Sequence, residues 1–124
     1  MTIEKARFNM IEQQIRPWNV LNLGVLELLT IVHREDFVPA ALRAQAFVDT
    51  ELPLGNGRRM LAPRVEARML QELKLSRQDR VLEIGAFIGL SAMSMARALP
   101  KGGKVVTIEK FDHFAAIARN NFKN

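Results

Sequence analysis

The sequence predicts an α/β chain, with helices at the amino terminus followed by a βαβα unit whose two strands run parallel. Three observations carry that expectation. Apolar residues recur at helical spacing through the first third, from Ala6, Met10, Ile11 and Ile15 to Val25, Leu26, Leu29 and Val32. Two short β-rich runs, Arg80–Ile84 and Lys104–Ile108, flank a helical stretch through short connections. A glycine-containing loop, Gly85 to Gly89, follows the first of these runs directly. Strands joined through a helix in this way are expected to be parallel, with a right-handed crossover.

The elements follow in order. Ile3 to Ile15 reads as the first helix and Pro17 closes it. A second helix runs from about Asn22, a cap residue, to Val32, with Val25, Leu26, Leu28, Leu29 and Val32 as a broad apolar face. Arg34-Glu35-Asp36 breaks the pattern, and Pro39 to Ala46 makes a short helical turn. Phe47-Val48 and Leu52-Pro53-Leu54 are expected to be extended, and Gly55-Asn56-Gly57 is a tight-turn signal because Asn-Gly tolerates positive φ. Pro63 suits the first turn of a third helix, continuing through Val65, Met69, Leu70 and Leu73 to near Ser76. After the strand Arg80–Ile84 and the glycine loop, Leu90 to Leu99 is a helix ended by Pro100, and Lys101-Gly102-Gly103 is a turn. The strand Lys104–Ile108 ends at Glu109, and Asp112 is expected to cap a last helix containing Phe114, Ala115, Ile117 and Ala118. No repeat or low-complexity linker interrupts the chain.

Composition bounds the function. A chain of 124 residues fits one small domain, here read as a helical region 1–46, an extended and helical segment 47–79, and a βαβα half 80–124. It is 48% hydrophobic and 25% charged, which is the balance of a soluble globular protein. The absence of cysteine excludes a disulfide framework and a thiolate metal site, and no metal is expected. The first residues are charged from Glu4 onward, unlike a signal peptide, and no apolar run reaches the roughly 18 residues of a membrane span. A cytoplasmic protein without membrane contact is the expectation. The net charge of +5 is spread along the chain, with Arg58, Arg59, Arg64 and Arg68 as its densest group. Such a face can attract nucleic acid, but no aromatic residues interleave to stack on bases, and solvated arginines are the favoured reading. Trp18 beside Pro17 reads as a packing anchor between helices, Met93 and Met95 as core or interface, and His33 and His113 as surface histidines.

The chemistry lies in Glu83 to Glu109. A glycine loop between strand and helix lets backbone approach a ligand, and the helix amino terminus presents N–H donors. An acid at the end of the second strand can accept from ribose hydroxyls, and Glu109 lies about 20 residues after Gly89, the spacing this geometry needs. The loop reads Gly85-Ala86-Phe87-Ile88-Gly89, with Phe87 where a pyrophosphate would lie, and no Gly-Lys-Ser/Thr follows. A ligand with an adenosine and no phosphates fits better, and S-adenosylmethionine (SAM) is the common one. The alternative is an ordinary βαβ turn whose glycines serve packing.

Val81-Leu82-Glu83-Ile84-Gly85-Ala86-Phe87-Ile88-Gly89-Leu90-Ser91 resembles motif I of class I SAM methyltransferases, and its aromatic between the glycines is similar to the catechol and caffeoyl-CoA O-methyltransferase group. Val105 to Glu109 resembles that group's second motif. The resemblance implies a partial Rossmann-like methyltransferase fold in which Gly85, Ala86, Phe87 and Gly89 line the SAM site. It further implies that Ser91 lies near the ligand's carboxylate, Glu109 holds the ribose, and Glu83 orients the loop or meets the methionine amino group through water. Three earlier segments, Met10 to Pro17, Asp49 to Gly57 and Met60 to Ala67, resemble protein-L-isoaspartate O-methyltransferase, with a match covering about two-thirds of the chain. In that family a serine precedes Ala-Pro, where this chain has Leu61 before Ala62-Pro63. A leucine cannot hydrogen-bond a carboxylate. Asp49 and Glu51 flank the segment that the resemblance places over cofactor and substrate and could contact substrate, and turn chemistry explains them equally well.

Two signatures meeting near Arg80 imply a divergent branch or a fusion of two sequences. The resemblance implies a seven-stranded sheet, of which this chain is expected to supply the first two strands. The catechol group's metal-ligand acids would lie beyond its end. Such strands expect neighbours and cover on both faces, and unpaired edges invite strand addition, so a homo-oligomer or a complementing chain is expected. The function expected is SAM-dependent O-methyltransferase chemistry related to isoaspartyl methylation, from an incomplete domain that binds SAM or S-adenosylhomocysteine. No catalytic base is identified, and a non-catalytic, truncated or engineered self-associating fragment is the alternative.

Overall fold

The computed structural model describes residues 2–76, 78–99 and 101–123, and the chain divides into two compact units, residues 1–73 and 74–124.

The first unit is helical with one hairpin. Helix α1 (Ile3–Met10) starts at Thr2, whose hydroxyl accepts from the Lys5 N–H at 3.3 Å. The run widens into a π-turn over Ile11–Ile15 and tightens into a 3₁₀ turn over Arg16–Trp18. Pro17 has no N–H to extend the ladder, and the run ends at Asn19 in the left-handed region, φ +60°. Met10, Ile11 and Ile15 are buried, and each such side chain contributes roughly 1.5–3 kcal/mol. Helix α2 (Leu23–Ile31) is capped by Asn22, whose carbonyl oxygen accepts from Val25 N–H at 3.1 Å, as its sequence position predicts. Short 3₁₀ turns follow at Arg34–Phe37 and Ala40–Gln45.

Strands β1 (Leu52–Gly55) and β2 (Arg58–Met60) form an antiparallel hairpin. Gly55, Asn56 and Gly57 all take positive φ at its tip, the conformation the tight-turn signal requires. Phe47 and Val48 are not extended as expected. They lie in a turn closed by Val48 N–H to Gln45 O (3.0 Å), and Gln14 takes the Phe47 carbonyl at 3.1 Å. Helix α3 (Pro63–Leu73) buries Pro63, Ala67 and Leu70 along one stripe. It stops short of Ser76 because Lys74 turns to φ +48°, a left-handed helix ending.

A buried ionic network ties these pieces together. Arg34 donates to Ala46 O (3.0 Å), to Leu61 O, and to Glu66 of α3 (2.6 Å). Arg7 pairs with Glu35. Burial pushes the Glu66 carboxyl up to about 6 against the pull of Arg34, and burial likewise lowers Arg34.

The second unit is a βαβα arrangement. Strands β3 (Arg80–Ile84) and β4 (Lys104–Ile108) pair in parallel, with Glu83 opposite Thr107 and Ile84 opposite Ile108. Helix α4 (Leu90–Ala98) connects them and α5 (Asp112–Asn121) follows. Both strands lie where the sequence predicts, and Pro100, expected to end α4, lies outside the described residues. Asp112 is the first residue of α5, and the cap position falls on Phe111. Within this chain only one face of the pair is covered. Val81, Glu83, Val105 and Thr107 are half-buried, while Leu82, Ile84, Val106 and Ile108 are 45–83% exposed. Among the described residues no helix is long and apolar enough to cross a membrane.

Candidate functional site

The loop leaving β3 is shaped by three residues of positive φ: Gly85 (+96°), Phe87 (+50°) and Gly89 (+89°). It is pinned to the strand end through Gly85 N–H to Ile108 O, at 2.7 Å. The two glycines differ in what surrounds them. A side chain at Gly85 would meet nothing within 4 Å, so the backbone there faces open space. At Gly89 an added Cβ would lie 2.6 Å from the Phe122 ring and 3.2 Å from Ala118 Cβ, so its bareness admits α5. Gly85 leaves room for a ligand and Gly89 serves packing.

Phe87 occupies a conformation that a bulky residue adopts at a cost. Two contacts compensate. Its ring packs on Phe114 of α5 at 4.9 Å, and its N–H donates to Glu109 Oε2 at 2.8 Å. The other oxygen of Glu109 accepts from Phe111 N–H at 2.9 Å, just ahead of α5. Glu109 thus stands at the strand end beside the loop, where an acid was expected, and it also holds the loop. Asn121 donates to Ile88 O at 2.8 Å from the far end of α5.

Glu83 lies beneath the start of α4. One carboxylate oxygen accepts from the Ser91 hydroxyl and the other from Thr107 Oγ1 at 2.6 Å. Ala86 is buried in the loop. The structure therefore gathers Glu83, Gly85, Ala86, Phe87, Gly89, Ser91 and Glu109 around one strand-to-helix turn. Sequence reasoning missed Thr107, Phe114, Asn121 and Phe122. The register opposite Glu83 was a signal for Thr107, and nothing local marked the α5 residues.

In the first unit the arginine group is largely neutralised. Arg64 pairs with Asp49 (2.9 Å), Arg68 with Glu72 (2.7 Å) and Arg59 with Glu51 (3.7 Å). Trp18 is 47% exposed and lies under the Arg64 guanidinium at 4.0 Å, so it is a cation–π partner and not a buried anchor. His33 and His113 are exposed, and Met95 is buried. Among the described residues no cluster of His, Cys, Asp or Glu could hold a metal ion.

A parallel βαβα unit, with a glycine loop after its first strand and an acid after its second, is the nucleotide-binding half of a doubly wound α/β fold. The family model for protein-L-isoaspartate(D-aspartate) O-methyltransferase matches residues 5–124, and the chain belongs to that family. The match crosses Arg80 without a break, so one family accounts for both halves. A protein-L-isoaspartate O-methyltransferase of Aeropyrum pernix is 37% identical over 119 residues, covering 96% of this chain and 46% of that protein. One from Herpetosiphon aurantiacus is 36% identical over 121 residues, covering 98% and 53%. The chain thus spans about half the length of the curated relatives it matches.

Solved structures agree on the fold. A protein-L-isoaspartate O-methyltransferase superposes with a TM-score of 0.80 at 22% identity, over 94% of this chain and 38% of that one. A Plasmodium falciparum protein reported as such an enzyme, solved with S-adenosyl-L-homocysteine, gives 0.76 at 18% identity over 97% and 54%.

Proposed function

We propose that this chain forms the cofactor-binding half of a SAM-dependent methyltransferase. Its loop Gly85–Gly89 and Glu109 would hold the adenosine, and Glu83 and Ser91 would face the amino-acid end. The observation that carries this reading is Glu109, an acid at the end of β4 that reaches the Phe87 N–H at 2.8 Å beside the open face of Gly85. SAM would supply an already activated methyl group on its sulfonium, and the chain's own residues supply binding and orientation. Family membership favours a carboxylate of an isoaspartyl or D-aspartyl residue as the acceptor. The Leu61 side chain offers no donor to such a carboxylate, so the proposal for this chain is cofactor binding and not turnover.

The test is calorimetric titration with SAM and S-adenosylhomocysteine, on wild type, Glu109→Ala and Glu109→Gln. Saturable binding that Glu109→Ala weakens is expected. Glu109→Gln keeps one oxygen acceptor of the two and is expected to fall between wild type and Glu109→Ala. No heat with either ligand, from folded protein, would leave the motif as architecture only.

A second reading rests on the exposed apolar strand face of Leu82, Ile84, Val106 and Ile108. Water-exposed apolar surface of this kind favours association, and the chain is expected to pair with itself or with a complementing chain, in a cytoplasmic setting. Sedimentation velocity at micromolar concentration tests the self-pairing, and a strictly monomeric species refutes that form of it.

A further inference from the structure

We propose that Thr107 is a positioning residue for cofactor recognition, holding the Glu83 carboxylate in the orientation from which it meets the amino-acid end of the ligand. The inference rests on the SAM-site reading above. Thr107 lies directly opposite Glu83 in the parallel register, so both side chains project from the same sheet face. Its hydroxyl donates to Glu83 Oε2 at 2.6 Å, while Ser91 takes the other oxygen. Two hydroxyls from separate elements fix the plane of a side chain that otherwise has several rotatable bonds.

The two donors are not equivalent. Ser91 stands in the first turn of α4, directly after the glycine loop whose backbone turns through positive φ at Gly85, Phe87 and Gly89. Thr107 stands within a strand whose partners run along all of β3, so it is the fixed reference of the pair. Its side chain also borders an apolar pocket of about 270 Å³ lined by Ala92, Met93, Ala96, Val105 and Phe122. A valine at this position therefore has room, and Thr107→Val removes the hydroxyl without crowding the core.

The variants are Thr107→Val and Thr107→Ser, titrated with S-adenosylhomocysteine and with 5′-methylthioadenosine, which has the adenosine and sulfur but no amino-acid end. Thr107→Val should weaken S-adenosylhomocysteine about tenfold, the scale of one charge-assisted hydrogen bond. It should leave 5′-methylthioadenosine little changed, and Thr107→Ser should restore the loss. An equal loss with both ligands, or none with S-adenosylhomocysteine, overturns the proposal. A separate reading uses ligand-free protein. The carboxyl carbon resonance of Glu83 should move in Thr107→Val and return in Thr107→Ser, and a resonance unmoved by Thr107→Val overturns the positioning role even where no ligand binds. Failure of wild type to bind either ligand, with the resonance behaving as expected, sinks the SAM-site reading instead.

Discussion

Gly89→Ala probes how the loop is built, because two separable costs meet at that residue. The backbone stands at φ +89°, ψ 5°, and a residue with a Cβ loses roughly 1–2 kcal/mol there. The added methyl would also sit 2.6 Å from the Phe122 ring edge and 3.2 Å from Ala118 Cβ. Phe122 is 40% exposed, so its ring can swing aside, and the crowding should add only about 1 kcal/mol. Backbone strain should win. We expect Gly89→Ala to destabilise the βαβα unit by about 1.5–3 kcal/mol, measured by urea denaturation with amide exchange on β3 and β4. Adding Phe122→Ala should recover no more than the crowding part. Gly85→Ala, whose Cβ meets nothing within 4 Å, should show the backbone cost alone and weaken S-adenosylhomocysteine more than Gly89→Ala does. Full recovery in the Gly89→Ala/Phe122→Ala pair would refute the reasoning, since sterics and not φ would then dominate.

Glu66 has a folded-state carboxyl raised from 4.5 to about 6 by burial, so the protonated form is favoured on folding. Its contribution to stability is full below about pH 4.5 and is lost as pH rises through about 6, a change of roughly 2 kcal/mol that Glu66→Gln should flatten. Denaturation curves every half pH unit read this, and parallel profiles for the two proteins would exclude it. At Phe87, φ +50° favours glycine while the ring contact with Phe114 favours the phenylalanine. Phe87→Gly should therefore be more stable than Phe87→Ala by about 1 kcal/mol, and the reverse order in chemical denaturation would show the loop unstrained.

Much of the fold is legible in the sequence. Both strands of the βαβα unit and the Asn22 cap followed from residue type and spacing, because those signals are local. The misreadings share a cause. Phe47-Val48 has β-forming residues, yet Gln14, 33 residues away, claims the Phe47 carbonyl within a turn. Trp18 has the size of a core residue, but Arg64 offers its ring a surface partner. Asp112 was expected to cap α5, whereas Glu109 satisfies the Phe111 N–H from three residues upstream of Asp112. The positions of Glu83 and Glu109 were legible, but not that both carboxylates are engaged within the protein. Three of those partners, Thr107 of β4, Ser91 of α4 and Phe87 of the glycine loop, are brought up by the fold, and pattern along one stretch does not report them.

Arg34 has a consequence for how the hairpin can change. The segment from Ala46 to Leu61 begins and ends on this one guanidinium, which donates to the carbonyl at each end. The base of the loop is thereby closed by a side chain outside it, and the tip at Asn56 is exposed. Closure entropy grows slowly with length, by only about 0.6 kcal/mol for each doubling. Insertions at the tip are therefore cheap while the anchor persists, and length variation within the family is expected to gather at the Gly55–Gly57 turn. Loss of Arg34 would open the base of the arm and leave it held by Gln14 on the Phe47 carbonyl, the Arg64–Asp49 pair and its buried Leu52 and Met60.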